Sequence, residues 1–191
     1  MDNQTKLFPE KETKVSTELD LETAERIANE VKCKVEGLCE KIEVVGSIRR
    51  RKPMVHDVDF VVLASDSNWN EIVQVLKGSK ATVNCAGNAV IKTLYPYNNI
   101  QFKVDFYRAK PSTYGIHKLI RTGSANHNMW LAGYAISKGF RLKYSQGLLK
   151  GDSVIAGKSE EDVFKALELP YPAPQEREVV KEKPVWLKGT T

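Results

Sequence analysis

Asp57 and Asp59 stand one residue apart within GSIRRRKPMVHDVDFVVLA (46–64), and a third carboxylate, Asp105, follows in IQFKVDFY (100–107). In an extended strand residues two apart share a face, so Asp57 and Asp59 point the same way while Val58 and Phe60 point the other. Adjacent carboxylates repel, and a hard divalent cation relieves that repulsion. Mg²⁺ in particular is held by one or two carboxylates together with substrate phosphates. In the second run Phe102, Val104 and Phe106 alternate with Lys103, Asp105 and Tyr107. If the two strands are neighbours, three carboxylates meet on one polar rim, which is the ligand set of a two-metal phosphoryl-transfer site.

The residues ahead of the pair suit a phosphate. Gly46 and Ser47 lie eleven and ten positions before Asp57. Glycine lets a backbone approach a ligand closely, and a serine hydroxyl with neighbouring N–H groups can hold phosphate oxygens. Arg49, Arg50, Arg51 and Lys52 come next, and a guanidinium matches phosphate in bidentate fashion. Each feature alone has an ordinary reading: a solvated strand face for Asp-x-Asp, a strand-to-helix turn for Gly-Ser, a solvated basic loop for the arginines.

These residues need a sheet to hold them, and the pattern supplies one. Asp20 can cap a helix running to about residue 40, on which Leu21, Ala24, Ile27, Ala28, Val31, Val35 and Leu38 recur at helical spacing. Strands are expected at 41–45, 57–64, 81–86, 89–95 and 100–108, with a short helix at 69–77. This predicts a mixed sheet flanked by helices and ending near residue 110. Two helices, 114–121 and 124–138, then break at Thr122-Gly123. Short strands at 140–144, 147–150 and 153–156 follow, and then a helix opened by Ser159-Glu-Glu-Asp162. Four prolines after Leu169 exclude regular helix from the tail. The expected fold class is α+β, divided into a polar lead-in (1–19), a first domain (20–110), a second (111–178) and a tail (179–191).

The chain of 191 residues can bury a sizeable core, and a net charge of +5 suits a polyanionic partner. No apolar run approaches a membrane span, and the N-terminus lacks a secretory h-region. Cys33, Cys39 and Cys85 follow no disulfide or zinc spacing and read as buried or free thiols in a reducing compartment. An intracellular protein, cytoplasmic or nuclear, is expected. His56, His117 and His127 lack ligand spacing and read as surface or nucleic-acid-contacting residues, while Trp69 and Trp130 read as core.

Three motifs, in order and at matching spacing, resemble one family. GSIRRRKPMVHDVDFVV is similar to the phosphate-binding loop and catalytic strand of the family X DNA polymerases, the DNA polymerase beta-like nucleotidyltransferases. TGSANHN (122–128) looks like that family's segment joining palm to thumb, and KSEEDVFKALELPYPAPQERE (158–178) like its thumb signature. The resemblance covers residues 20–178. It implies a nucleotidyltransferase palm followed by a small α/β thumb, with Asp57 and Asp59 ligating two Mg²⁺ ions and Asp105 ligating the catalytic one. Mn²⁺ can replace Mg²⁺ in this scheme. Gly46, Ser47 and Arg50 would bind the β- and γ-phosphates. Gly123 would lie by the deoxyribose, Asn128 would meet the minor-groove edge of the incoming base, and Ser124 would touch the nucleotide.

The chain departs from the family where Tyr-Phe commonly precedes Thr-Gly; here the pair is Ile120-Arg121. An arginine commonly found four residues after the asparagine is Ala132. The length leaves no room for the family's N-terminal lyase and complete fingers. The implied function is templated addition of a deoxynucleotide to a primer end, on primer-template or gapped DNA, by a monomer that fills short gaps in repair. Two other readings stand beside it: a terminal or RNA nucleotidyltransferase on the same palm, and a nucleic-acid-binding module with a dead palm.

Overall fold

A computed structural model gives the fold and describes residues 14–180 and 183–187. Its centre is a sheet whose main path is β1 (Lys41–Val44), β2 (Val58–Leu63), β5 (Ile100–Arg108), β4 (Val90–Tyr97) and β3 (Thr82–Ala86). β2 and β5 are parallel, and the other neighbours in this path are antiparallel. Below Val104, where β2 no longer borders β5, Lys14–Val15 takes its place beside Ile100 and Gln101. Leu19–Asp20 pairs with Met54–Val55. The described part of the expected loose lead-in is therefore extended backbone tied to the sheet; residues 1–13 lie outside the described part of the chain.

One face of the sheet carries the core. α1 (Leu21–Val35) presents Ala24, Ile27, Ala28, Val31 and Val35 to it, and α3 (Asp66–Gly78) presents Trp69, Ile72, Val73 and Leu76. They close over Val58, Phe60, Val62, Phe102, Val104 and Phe106, all fully buried. Phe60 and Phe106, opposite each other in register, stack at 5.0 Å. α1 starts where its cap requires: Asp20 accepts from the Thr23 N–H at 2.9 Å. The helix ends at Val35, with Glu36–Leu38 continuing as a 3₁₀ turn.

The opposite face is only partly covered. α4 (Tyr114–Thr122) packs on β2, where Tyr114 joins Val45, Val61, Leu63 and Ala109. α4 then turns into α5 (Ala125–Ser137), which is followed by the antiparallel strands β6 (Arg141–Lys143), β7 (Gly147–Lys150) and β8 (Ser153–Ala156) and by α6 (Glu160–Ala166). These elements share a second core around Ile116, Leu119, Leu131, Leu148, Val163 and Phe164. Gly115 is obligatory in it, since a β-carbon there would lie 2.3 Å from the Ser159 backbone.

Candidate active site

The parallel pairing of β2 with β5 sets Asp59 directly opposite Asp105. Both lie on the face away from α1 and α3, because their strand neighbours Val58, Phe60, Val104 and Phe106 fill the core. The alternation read from the sequence thus places the carboxylates as expected, on adjacent strands, with Asp57 one residue before β2. Asp57 and Asp59 line a cavity of about 440 Å³, and so do Gly46, Ser47, Arg50, Gly123, Ser124 and Asn128. Asp105 is not among the lining residues. Its carboxylate accepts from the Tyr107 hydroxyl at 3.3 Å and lies 3.8 Å from Lys92 Nζ.

Asp59 is strongly perturbed. Burial, then the charges of Asp57 and Asp105, push its carboxyl up to about 7. Asp105 is also raised, chiefly by burial, against the pull of Lys92 and the Tyr107 hydroxyl. Carboxylate oxygens gathered on one face are a donor set suited to a hard divalent cation. Among the described residues, no three His, Cys, Asp or Glu side chains are drawn together as a closed metal cage. The donor chemistry fits such an ion; Asp59 and Asp105 are in register and Asp57 precedes the strand, but the three are not converged.

Gly46 and Ser47 belong to α2, a short helix (Gly46–Arg49), rather than to an open loop. Gly46 has φ +65°, and a β-carbon there would sit 2.5 Å from Asp59 Oδ2. Only glycine lets the turn lie against that carboxylate. The Ser47 hydroxyl oxygen is buried with no hydrogen-bond partner, which is costly unless a ligand supplies one.

The basic run separates into different fates. Arg49 donates to both carboxylate oxygens of Glu160, at 2.8 and 2.7 Å, and to Thr122 Oγ1 at 2.6 Å. Arg51 pairs with Glu25 on α1 at the surface. Arg50 alone lines the cavity; its Nη1 donates to the Thr122 carbonyl at 2.6 Å and its Nε to Glu178 at 3.0 Å.

At the turn between α4 and α5, Asn128 Nδ2 donates to the carbonyls of Ile120 (2.7 Å) and Gly123 (3.3 Å). Its Oδ1 is buried and unpartnered. A β-carbon on Gly123 would lie 2.4 Å from that oxygen and 2.6 Å from His127 Nδ1, so the turn tolerates no side chain. Ser124 caps α5, its hydroxyl accepting from His127 N–H at 3.2 Å.

Some expectations need correction. His117 and His127 are buried, not surface contacts; His127 packs against Phe164 and Trp186 in the second core. Burial pushes both imidazoles down to about 4. His56 does line the cavity, with Nδ1 3.0 Å from the Thr17 carbonyl oxygen. Trp69 is core as expected, and Trp130 stacks on Tyr134. Cys33 and Cys85 are free and exposed.

His56, Tyr107, Ile120, Arg121 and Ala125 line the cavity but were not assigned as site residues from the sequence. The Arg121 guanidinium stacks on the Tyr107 ring at 3.6 Å. The alternation in β5 had already put Tyr107 on the Asp105 face; Arg121 stood out only as a departure from the family's Tyr-Phe before Thr-Gly. A second cavity, about 450 Å³, opens at the far end of β2 and β5 beside Leu63, Arg108 and Pro111. Its arginine is already bound to the Ala64 carbonyl and Asp66. It holds neither an aspartate pair nor a Gly-Ser turn.

Comparison with known proteins bears on the whole arrangement. Residues 118–178 match the family described as DNA polymerase beta thumb. DNA polymerase IV of Saccharomyces cerevisiae is 31% identical over 81 residues, which are 42% of this chain and 14% of that protein. The chain thus spans about a seventh of the length of that curated relative. Its fold resembles Leishmania infantum polymerase beta in a ternary P/T complex, with TM-score 0.75 and 22% identity over 86% of this chain and 78% of the other. The ternary gap complex of the same protein gives TM-score 0.74 and 21% identity, covering 85% and 71%. No helix among the described residues is long and apolar enough to cross a membrane.

Proposed function

We propose that the chain is a family X DNA polymerase of the polymerase beta-like group, and that it adds deoxynucleoside monophosphates to a primer 3′-hydroxyl on gapped or primed DNA, releasing pyrophosphate. The observation that carries this reading is the register of Asp59 against Asp105 beneath a glycine turn that holds an unpartnered serine hydroxyl. Short-gap filling in DNA repair is the use that follows from the gap complex of the structural relative. The protein works inside the cell and as a monomer in this scheme, with the palm meeting the thumb near Lys110-Pro111, where the two cores part.

Each group has a part. Asp57, Asp59 and Asp105 hold two divalent ions, Mg²⁺ in the first instance. Such ions neutralise triphosphate charge and make the 3′-hydroxyl a better nucleophile. Ser47 and Arg50 receive the outer phosphates, the serine through its unused hydroxyl and the arginine through the guanidinium edge facing the cavity. Gly123 keeps the turn flat where the sugar lies. Asn128, braced by two carbonyls, fixes the corner on which the base is read, with Ser124 at the same helix start. Lys92 Nζ, 3.8 Å from the Asp105 carboxylate, offsets part of its charge.

The test is primer extension with the purified chain, offering dNTPs or NTPs, with and without a template, in Mg²⁺ or in EDTA. Templated dNTP incorporation that requires the metal is expected. Template-free addition would move the protein to the terminal-transferase class, and metal-independent DNA binding with no incorporation would make it a binding module.

A further inference from the structure

Arg50 is held from behind by a residue 128 positions away. Its Nε donates to Glu178 Oε1 at 3.0 Å, and Lys52 Nζ lies 2.8 Å from the same oxygen. Glu178 sits in the C-terminal segment, one residue after the fully buried Arg177. That segment is anchored by Arg177 to Glu160 and by the Arg177 carbonyl, which accepts from Ser124 N–H at 3.3 Å. The carboxyl of Glu178 is lowered, burial being outweighed by Lys52 and Arg50, with the Ser124 hydroxyl contributing. It is therefore an anion at neutral pH.

The cavity is lined by Arg50 and Ser124 but not by Glu178. Glu178 takes the Nε edge of the guanidinium and the Thr122 carbonyl takes Nη1, so Nη2 is left without a partner among the described residues. Two fixed points on a planar fork define its plane. The fork is then set before a ligand arrives, and a long side chain need not be ordered on binding. Glu178 also keeps two neighbouring cations, Arg50 and Lys52, from splaying apart.

We propose that Glu178 is a positioning residue for the triphosphate, acting through Arg50: it fixes the guanidinium from outside the cavity so that the free edge faces the phosphates. This rests on Arg50 as a phosphate contact. An anion lying in the cavity would compete with phosphate; one behind the arginine orients it, and the two make opposite predictions.

The experiment uses the full chain with Arg50→Ala, Glu178→Ala, Glu178→Gln and the Arg50→Ala/Glu178→Ala double variant. Affinity for inorganic tripolyphosphate with Mg²⁺ is read by calorimetry, and KM and kcat for dTTP by templated extension. Glu178→Ala is expected to weaken tripolyphosphate binding and raise KM about tenfold while kcat changes by less than about threefold. Glu178→Gln, which keeps an oxygen for the Nε–H, should lose only about threefold and serves if the alanine variant folds poorly. Added to Arg50→Ala, the Glu178 change should cost nothing more. Tighter binding in either Glu178 variant, unchanged binding, or an equal loss with and without Arg50 overturns the proposal. If Arg50→Ala itself leaves affinity and KM unchanged, the phosphate role of Arg50 falls and takes the proposal with it.

Discussion

Two clusters of buried charge lie within this protein, and they are built on opposite principles. In the thumb, Glu160 is 2% exposed and is met by Arg49 from the palm, by the fully buried Arg177 and by the Tyr171 hydroxyl at 2.9 Å. Burial alone would raise its carboxyl, yet the hydrogen bonds and charges of the two arginines bring it down to about 2. On the palm sheet the opposite holds: Asp59 is buried beside Asp57 and Asp105 and is driven up to about 7. A compensated cluster holds two parts of a fold together. An under-compensated one marks a candidate ligand site.

The sharpest way to break this contrast is Asp105→Asn. It removes an oxygen ligand while keeping shape, so extension should fall on the order of a thousandfold, with duplex binding and thermal stability little changed. Near wild-type turnover would place the chemistry elsewhere.

Glu160→Ala attacks the compensated side. It leaves Arg49 and the buried Arg177 without their partner, which should cost about 3–5 kcal/mol of stability in a denaturant titration. Acid should do the same by degrees. The unfolded histidines titrate near 6.5 and the buried His117 and His127 only near 4, so between those values the unfolded chain takes protons that the folded one refuses. The two histidines should therefore cost stability as pH drops from 6.5 to 4, while Asp59, raised to about 7, offsets part of that loss over the same range. The Glu160 contribution is present above 4.5 and is lost on the way to about 2. In a melting series against pH, His127→Phe should flatten the upper window and spare the lower one.

Asp59→Asn tests the frustrated side from another direction. Neutralising a buried carboxylate beside two others should stabilise the metal-free protein by about 1–3 kcal/mol while abolishing extension. Mg²⁺ should raise the melting temperature of the wild type and not of this variant. A destabilised Asp59→Asn would mean that the site is not under strain.

The smallest effect belongs to Arg51→Ala. Its pairing with Glu25 is exposed, with 58% of the arginine side chain in solvent, and should be worth less than about 1 kcal/mol. Extension should change by less than about twofold, whereas the same substitution one residue earlier should weaken triphosphate binding.

What the sequence disclosed follows from the range of the interactions involved. Period-two alternation in 100–107 is local, and it correctly told the Asp105 face from the Phe106 face. Asp20, Ser65 and Ser159 cap helices within three residues of themselves, so those helix starts were readable or nearly so. The arginine run could not be sorted in this way. Arg49 and Arg50 have the same type and almost the same neighbours, and they part only because Glu160 and Glu178 lie more than a hundred residues ahead. His127 misled for a related reason. It follows an asparagine in a polar stretch, TGSANHN, and only the packing of α5 against Phe164 and Trp186 encloses it.

The bond between Arg49 and Glu160 also imposes an order of events during synthesis. The basic turn leaves the ribosome long before its acidic counterparts, and domains generally fold from the N-terminus as they emerge. Until residues 160–178 arrive, Arg49, Arg50 and Lys52 have none of the carboxylates that hold them in the finished molecule. The sheet can assemble in that interval, but the cavity cannot take its final shape. Closing a loop of this length is among the slower steps available to a small domain. A growing chain thus carries its basic turn without its acidic partners until the segment ending at Glu178 docks.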